Sequence, residues 1–323
     1  MFERIRSKII LKKIFKHTNK FVLLELLRYN KNLQKRLDLS INIYKKYYPI
    51  EIEVKLCPNM DNEDKTFINI KDTDKSFYHF YSGKKEIKNY FISGKSKIRK
   101  IKVKIDRKAK SLRGLFKNCK NIQEIEFILF SSKKIIDMSN MFFGCSSLIK
   151  LNIENLHTNN VEDMCNMFDG CSSLKQLNFS NFDTSKVIDM KYMFYRCSKL
   201  KELDLSNFNT SNTTNLRSMF NDCSSLEKLN LINFNTSNVN DMAYLFCECE
   251  SLKEIKGIQN FVTNKVNDMS YMFYGCSSLL NMNVSKFKIN KKCKVTKMFF
   301  GCDKDLKDKI KKQNKNISDK TFN

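Results

Sequence analysis

The sequence predicts an α/β solenoid of about eight 26-residue coils, each a short parallel strand followed by a short helix, with a smaller helical and α+β region in front. Three observations predict it. Eight cysteines stand in one register, Cys119, Cys145, Cys171, Cys197, Cys223, Cys249, Cys276 and Cys302, with gaps of 26 broken once by 27. Apolar columns keep the same register. The stretch before each cysteine carries apolar residues at helical spacing. A fixed period between 20 and 50 residues is the mark of stacked repeats, each covering its neighbour.

The elements follow in chain order. Residues 1–50 read as a helical module, with Ile9, Ile10, Ile14 and Phe15, then Phe21, Leu23, Leu24, Leu26 and Leu27, on two helices broken near "KHTNK". Residues 51–110 read as a basic α+β lead-in or cap. There "TFINI", "SFYHFYSG" and "IRKIKVKI" suggest strands, the last alternating Ile101, Val103 and Ile105 with lysines. Residues 111–302 are the solenoid, with degenerate first and last repeats suited to capping. Residues 303–323 are a polar C-terminal cap or tail, read as a frayed helix or disorder.

Within a coil, the third residue after the cysteine is Ile122, Leu148, Leu174, Leu200, Leu226, Leu252 or Leu279. The sixth is Ile125, Leu151, Leu177, Leu203, Leu229, Ile255 or Met282. The alternation that follows suits a strand with one buried face. In "VIDMKYMFYRC" the residues Val187, Met190, Met193, Phe194 and Cys197 form one helical stripe. Asp137, Asp163, Asp189, Asp241 and Asp268 sit just before the first Met of the stripe, where a carboxylate caps a helix. Gly144, Gly170, Gly275 and Gly301 come just before the cysteine, where a left-handed residue ends one. Asn155, Asn181, Asn207, Asn233 and Asn260 recur at the strand exit, placed to bond turn backbone.

Zinc sites need cysteine pairs two to four residues apart, which the column lacks, and small disulfide scaffolds do not keep a constant period. The column cysteines are therefore a structural column of small buried hydrophobes. Cys57, Cys165, Cys247 and Cys293 lie off the column and have no role assigned by the pattern.

The unit "CSSLKQLNFSNFDTSKVIDMKYMF" resembles the BspA-type leucine-rich repeat, with its recurring "MFxxCSSLxxLxLSNFxTSxVxxM" pattern, over about residues 111–302. That resemblance implies a leucine-rich-repeat α/β solenoid with a parallel sheet on one side, used for binding rather than chemistry. At the N-terminus, "ILKKIF" and "LLELLRYNKNLQKRL" faintly resemble an F-box, a helical module that docks onto a ubiquitin-ligase scaffold.

Function follows from what is exposed. Three histidines (His17, His79, His157) far apart in sequence, and no Gly-rich phosphate loop or nucleophile elbow, argue against an enzyme. No cofactor or metal is expected. The predicted role is a non-catalytic protein–protein interaction scaffold that binds protein partners through its strand face. The outward strand residues are Lys150 and Asn152, Gln176 and Asn178, Glu202 and Asp204, Lys228 and Asn230, Glu254 and Lys256. Their mixed signs make no basic stripe for nucleic acid on this face.

The net charge of +25 is uneven: residues 1–50 carry thirteen basic and three acidic side chains, and residues 84–110 carry twelve and two. Nucleic acid or anionic lipid binding by this N-terminal third is a rival reading. An F-box-like ubiquitin-ligase adaptor and a cell-surface adhesin of the BspA type are two more. No transmembrane segment or export signal is visible. That predicts a cytoplasmic protein, with the cell surface as the alternative.

Overall fold

A computed structural model describes residues 35, 50–57, 64–93, 95–315 and 317–322. The expected N-terminal helices and the F-box-like segment lie, Lys35 apart, outside the described residues.

The lead-in supplies strands β1 (Ile50–Leu56), β2 (Lys65–Thr66), β3 (Tyr78–Ser82), β4 (Lys85–Ile87), β5 (Phe91–Ile92) and β6 (Lys100–Ile105). Alternation in β6 places Ile101, Val103 and Ile105 in the core at 0% exposure. The first coil contributes β7 (Ile122–Phe130), and the second β8 (Lys150–Asn152). These strands make one six-stranded sheet in the order β4-β3-β6-β1-β7-β8. β1 runs antiparallel to both β6 and β7, whereas β7 and β8 are parallel. The lead-in and the solenoid thus share a sheet. The two edges of β7 make this possible: one pairs with all seven residues of β1, and the other pairs Glu124, Ile125 and Glu126 with β8.

Farther along, β9 (Glu202–Asp204), β10 (Lys228–Asn230) and β11 (Glu254–Lys256) form a parallel three-stranded sheet in strict register. Gln176–Asn178 adopts no strand conformation, so the parallel sheet is split rather than continuous. Beside the break, Phe179 packs edge-on against Phe194 and Phe208, with ring centroids 5.6 and 5.4 Å away.

The expected helix in each coil is absent: residues 111–302 contain no α-helix, and this stretch runs as successive turns. Alternate N–H groups explain why. Met164, Asn166, Phe168 and Gly170 donate to the next coil, at the carbonyls of Asp189, Lys191, Met193 and Tyr195. Between them, Met167, Asp169 and Cys171 close short turns on Met164, Asn166 and Phe168. An α-helix would send every N–H four residues back. Two left-handed residues per coil prevent that, for example Asn166 (φ 53°) and Gly170 (φ 72°), or Tyr192 (56°) and Arg196 (58°). The glycines before the cysteine do take positive φ, but as turn residues instead of helix ends. The aspartates cap turns too. Asp163 Oδ1 accepts the N–H of Cys165 at 2.8 Å and Asp189 Oδ1 that of Lys191 at 2.9 Å. Asn215 does the same for Arg217 at 3.0 Å.

The core is built of columns. All eight register cysteines are buried. From Cys145 on, each thiol donates to the phenylalanine carbonyl of the preceding coil, as Cys197 Sγ does to Phe168 O at 3.2 Å. Beside them Phe116, Phe142, Phe168, Phe194 and Phe220 stack face to face at 5.4–5.8 Å. Offset stacking at such separations adds to the area buried. The one 27-residue spacing falls at Gly257 (φ 95°), which opens a 3-10 turn at Ile258–Asn260. A Cβ there would lie 2.4 Å from the Leu231 carbonyl oxygen, so only glycine fits.

Both ends of the stack are covered. Asn69 N–H donates to Leu115 O at 2.7 Å, taking the place of a preceding coil. At the other end the tail is ordered. Helix α1 (Lys304–Gln313) buries Leu306 and Ile310, with Asp303 capping it through the Leu306 N–H. Phe322 then extends the ring column by stacking on Phe299 at 5.4 Å.

Candidate interaction face

The predicted strand-face residues stand where a parallel lattice puts them. In β9, β10 and β11 the middle residues Leu203, Leu229 and Ile255 are buried, which turns Glu202, Asp204, Lys228, Asn230, Glu254 and Lys256 outward. Lys150 and Asn152 flank buried Leu151 in the same way. Gln176 and Asn178 are exposed too, but on the segment that breaks the sheet, so eight of the ten candidates form two strand groups with this pair between them.

Signs alternate from coil to coil, and the charges pair along the face. Lys228 Nζ meets Glu202 Oε1 at 2.9 Å, and Lys253 meets Glu227 at 2.7 Å. Asp204 accepts the Ser206 N–H at 2.9 Å, and the bonds from Ser206 hold its carboxyl below the usual range. These pairs are open to water and contribute little to stability. They do offset one another's charge along the face.

The face continues onto the lead-in. Across β1, β6 and β7, Lys55 pairs with Glu124 and Lys100 with Glu53, each at 2.6 Å. A shallow pocket of about 380 Å³ lies there among Glu53, Lys55, Lys100, Glu124, Glu126 and Lys150. No sequence pattern points to this extension, because β1 reaches β7 only in three dimensions.

The lattice that holds the face in place is polar as well as apolar. Asn207 Nδ2 donates to Phe179 O and Phe182 O at 2.7 and 3.0 Å, one coil back. Asn155 and Asn233 likewise reach carbonyls of the preceding coil. A threonine column does more. Thr210 Oγ1 donates to Asn235 O at 2.9 Å and accepts the Asn235 N–H at 2.8 Å, and Thr158, Thr184, Thr236 and Thr263 repeat the clamp. Sequence reasoning missed these threonines, although they recur in "NFDTSKV" and "NFNTSNV".

The thiols are kept unreactive. Burial pushes Cys119, Cys223 and Cys302 up to about 12, and raises the thiols of the other register cysteines too. Off the column, Cys165 and Cys247 are buried and also pushed to about 12, while Cys57 and Cys293 are half-buried. Among the described residues no group of three or more His, Cys, Asp or Glu is placed to hold a metal ion. Nor is any helix among them long and apolar enough to cross a membrane.

Comparisons with known proteins add the following. No curated protein matches the chain. A solved leucine-rich repeat protein from Bacteroides ovatus ATCC 8483 is similar at 20% identity, with a TM-score of 0.35. The match covers 64% of this chain, which spans 58% of that protein. A family model described as "Mycoplasma protein of unknown function, DUF285" matches residues 110–228 and again 201–314. Together these two matches run the length of the solenoid and into its C-terminal helix, and the chain belongs to that DUF285 family.

Proposed function

We propose that the protein is a non-catalytic repeat scaffold that binds a protein partner through its strand face. The observation that carries this reading is the register of β9, β10 and β11. It fixes six outward polar side chains of mixed charge on one surface, with three buried residues beneath them. Such a surface suits recognition, because its backbone is already ordered and this chain loses little additional entropy when a partner docks. Catalysis has no comparable support. The two described histidines are engaged separately, His79 near Glu86 at 3.7 Å and His157 with Asn155 O at 2.9 Å.

The test reverses charge at two exposed positions, Glu202→Lys with Asp204→Lys, and compares captured partners with those of the parent protein. The expected result is loss of a specific partner with an unchanged melting temperature. An identical set of partners from an equally stable variant removes this face from consideration.

A further inference from the structure

The turn runs ahead of Cys249, Cys276 and Cys302 carry an aromatic stripe that the strand-face reading does not use. Tyr244 and Tyr271 stack at 4.8 Å, Tyr271 meets Tyr274 at 5.7 Å, and Tyr274 stacks on Phe300 at 5.3 Å. One coil earlier the guanidinium of Arg217 lies 5.2 Å over the Tyr244 ring. Phe300 is 40% exposed and the three tyrosines are half-buried, so the stripe is a wet surface and not core. Tyrosine and arginine are the side chains that dominate binding energy at interfaces.

We propose that this stripe is a second interaction surface, one that takes the lysine and arginine side chains of an extended polypeptide. The chain's own cations already show what its rings accept, with Arg217 on Tyr244 and Lys297 5.2 Å over Phe300. Carboxylates border the rings on both sides. Asp241 and Asp268 share the single guanidinium of Arg217, at 3.4 and 3.9 Å. On the other border stand Asp222, Glu248 and Glu250, where Arg196 approaches Asp222 at 4.0 Å. Burial, with Glu250 and Asp222 nearby, holds the Glu248 carboxyl above its usual range. On a chain whose net charge is +25, the five carboxylates here outnumber the three cations Arg196, Arg217 and Lys297. A cation arriving here gains ring faces and unbalanced carboxylates at once.

The experiment titrates the full-length protein into a fluorescently labelled ten-residue peptide of alternating lysine and serine, with a glutamate–serine peptide as control. Saturable binding of the lysine peptide, weakened by salt, is expected. Tyr244→Ala with Tyr271→Ala should weaken it at least tenfold. Asp222→Asn with Glu248→Gln, which keeps side-chain volume on the surface and so spares the fold, should do the same. The strand-face variant Glu202→Lys with Asp204→Lys should bind within twofold of the parent. Three results overturn the proposal: no saturable binding up to about 1 mM, the range of a weak complex; equal binding of the acidic peptide; or parental affinity in the Asp222→Asn, Glu248→Gln protein. A strand-face variant that loses capture of its partner but still binds the peptide separates this proposal from the preceding one.

Discussion

Truncating one thiol in the middle of the column tests why a cysteine stands there. Cys197 is 0% exposed, and its Sγ donates to Phe168 O at 3.2 Å. That carbonyl also accepts the Cys171 N–H at 3.0 Å, so Cys197→Ala leaves no orphaned acceptor. The cost is then the sum of three modest losses. Removing a group of methyl size from a dry site costs about 0.8 kcal/mol. A residual cavity of about 25 Å³, at about 24 cal/mol per Å³, adds about 0.6 kcal/mol. The S–H bond, weaker than an amide bond, adds about 0.5 kcal/mol. Cys197→Ala should therefore destabilise the solenoid by about 2 kcal/mol. With a urea slope of about 3 kcal/mol/M, the midpoint falls by about 0.6–0.7 M. Cys197→Ser keeps a donor but loses the sulfur's volume, and should also be less stable than the parent. Equilibrium urea unfolding followed by circular dichroism reads both. A shift below about 0.2 M for the alanine variant, or a serine variant more stable than the parent, would rule out a tight, dry slot at Cys197, since either requires one that is loose or wet.

Three other predictions concern separate links in the structure. At pH 8, thiols raised from 9.0 to about 12 carry about a thousandfold less thiolate, so Cys119, Cys223 and Cys302 should alkylate at least that much more slowly than a peptide thiol. Residue-resolved mass spectrometry finding any of them within tenfold of the peptide rate contradicts this. Thr210→Val strands the N–H and carbonyl of Asn235 and should cost about 2–3 kcal/mol, against about 1 kcal/mol for Thr210→Ser, which keeps the hydroxyl; equal chemical stability of the two variants would dismiss the clamp. Burial pushes the Asp169 carboxyl from 3.8 to about 6, against the opposing pull of Arg196. A folded pKa above the unfolded one means tighter proton binding in the folded state. The associated stability is present below about pH 4 and is lost as pH rises to about 6. Asp169→Asn should accordingly gain on the parent by about 2–3 kcal/mol between pH 4 and pH 7. A difference in unfolding free energy that stays flat over that range would count against it.

How far the site was legible depended on which contacts made it. The outward residues of β9, β10 and β11 were readable, because a period of two around a buried leucine or isoleucine decides which side chains face out. The break at Gln176–Asn178 was not, since "LKQLN" differs little from "LKELD" and "LEKLN". The aromatic stripe was hidden for another reason. Tyr244 and Tyr271 stand five residues before their cysteines and Tyr274 only two before, so no single column contains them. They meet only through stacking.

The period, the buried columns and the place of the one irregular coil at Gly257 are all written in the order of residues. Each of these depends on side-chain size and polarity repeated at a fixed interval, which any stacked arrangement must respect. The tertiary structure alone decided what the backbone does between the columns. A stripe such as Val187, Met190, Met193 and Phe194 fits an α-helix and a run of short turns equally well. The choice lies in whether the Phe168 N–H finds its acceptor four residues back or in Met193 of the next coil. That acceptor exists only once the neighbouring coil is in place, so local spacing could not reveal it.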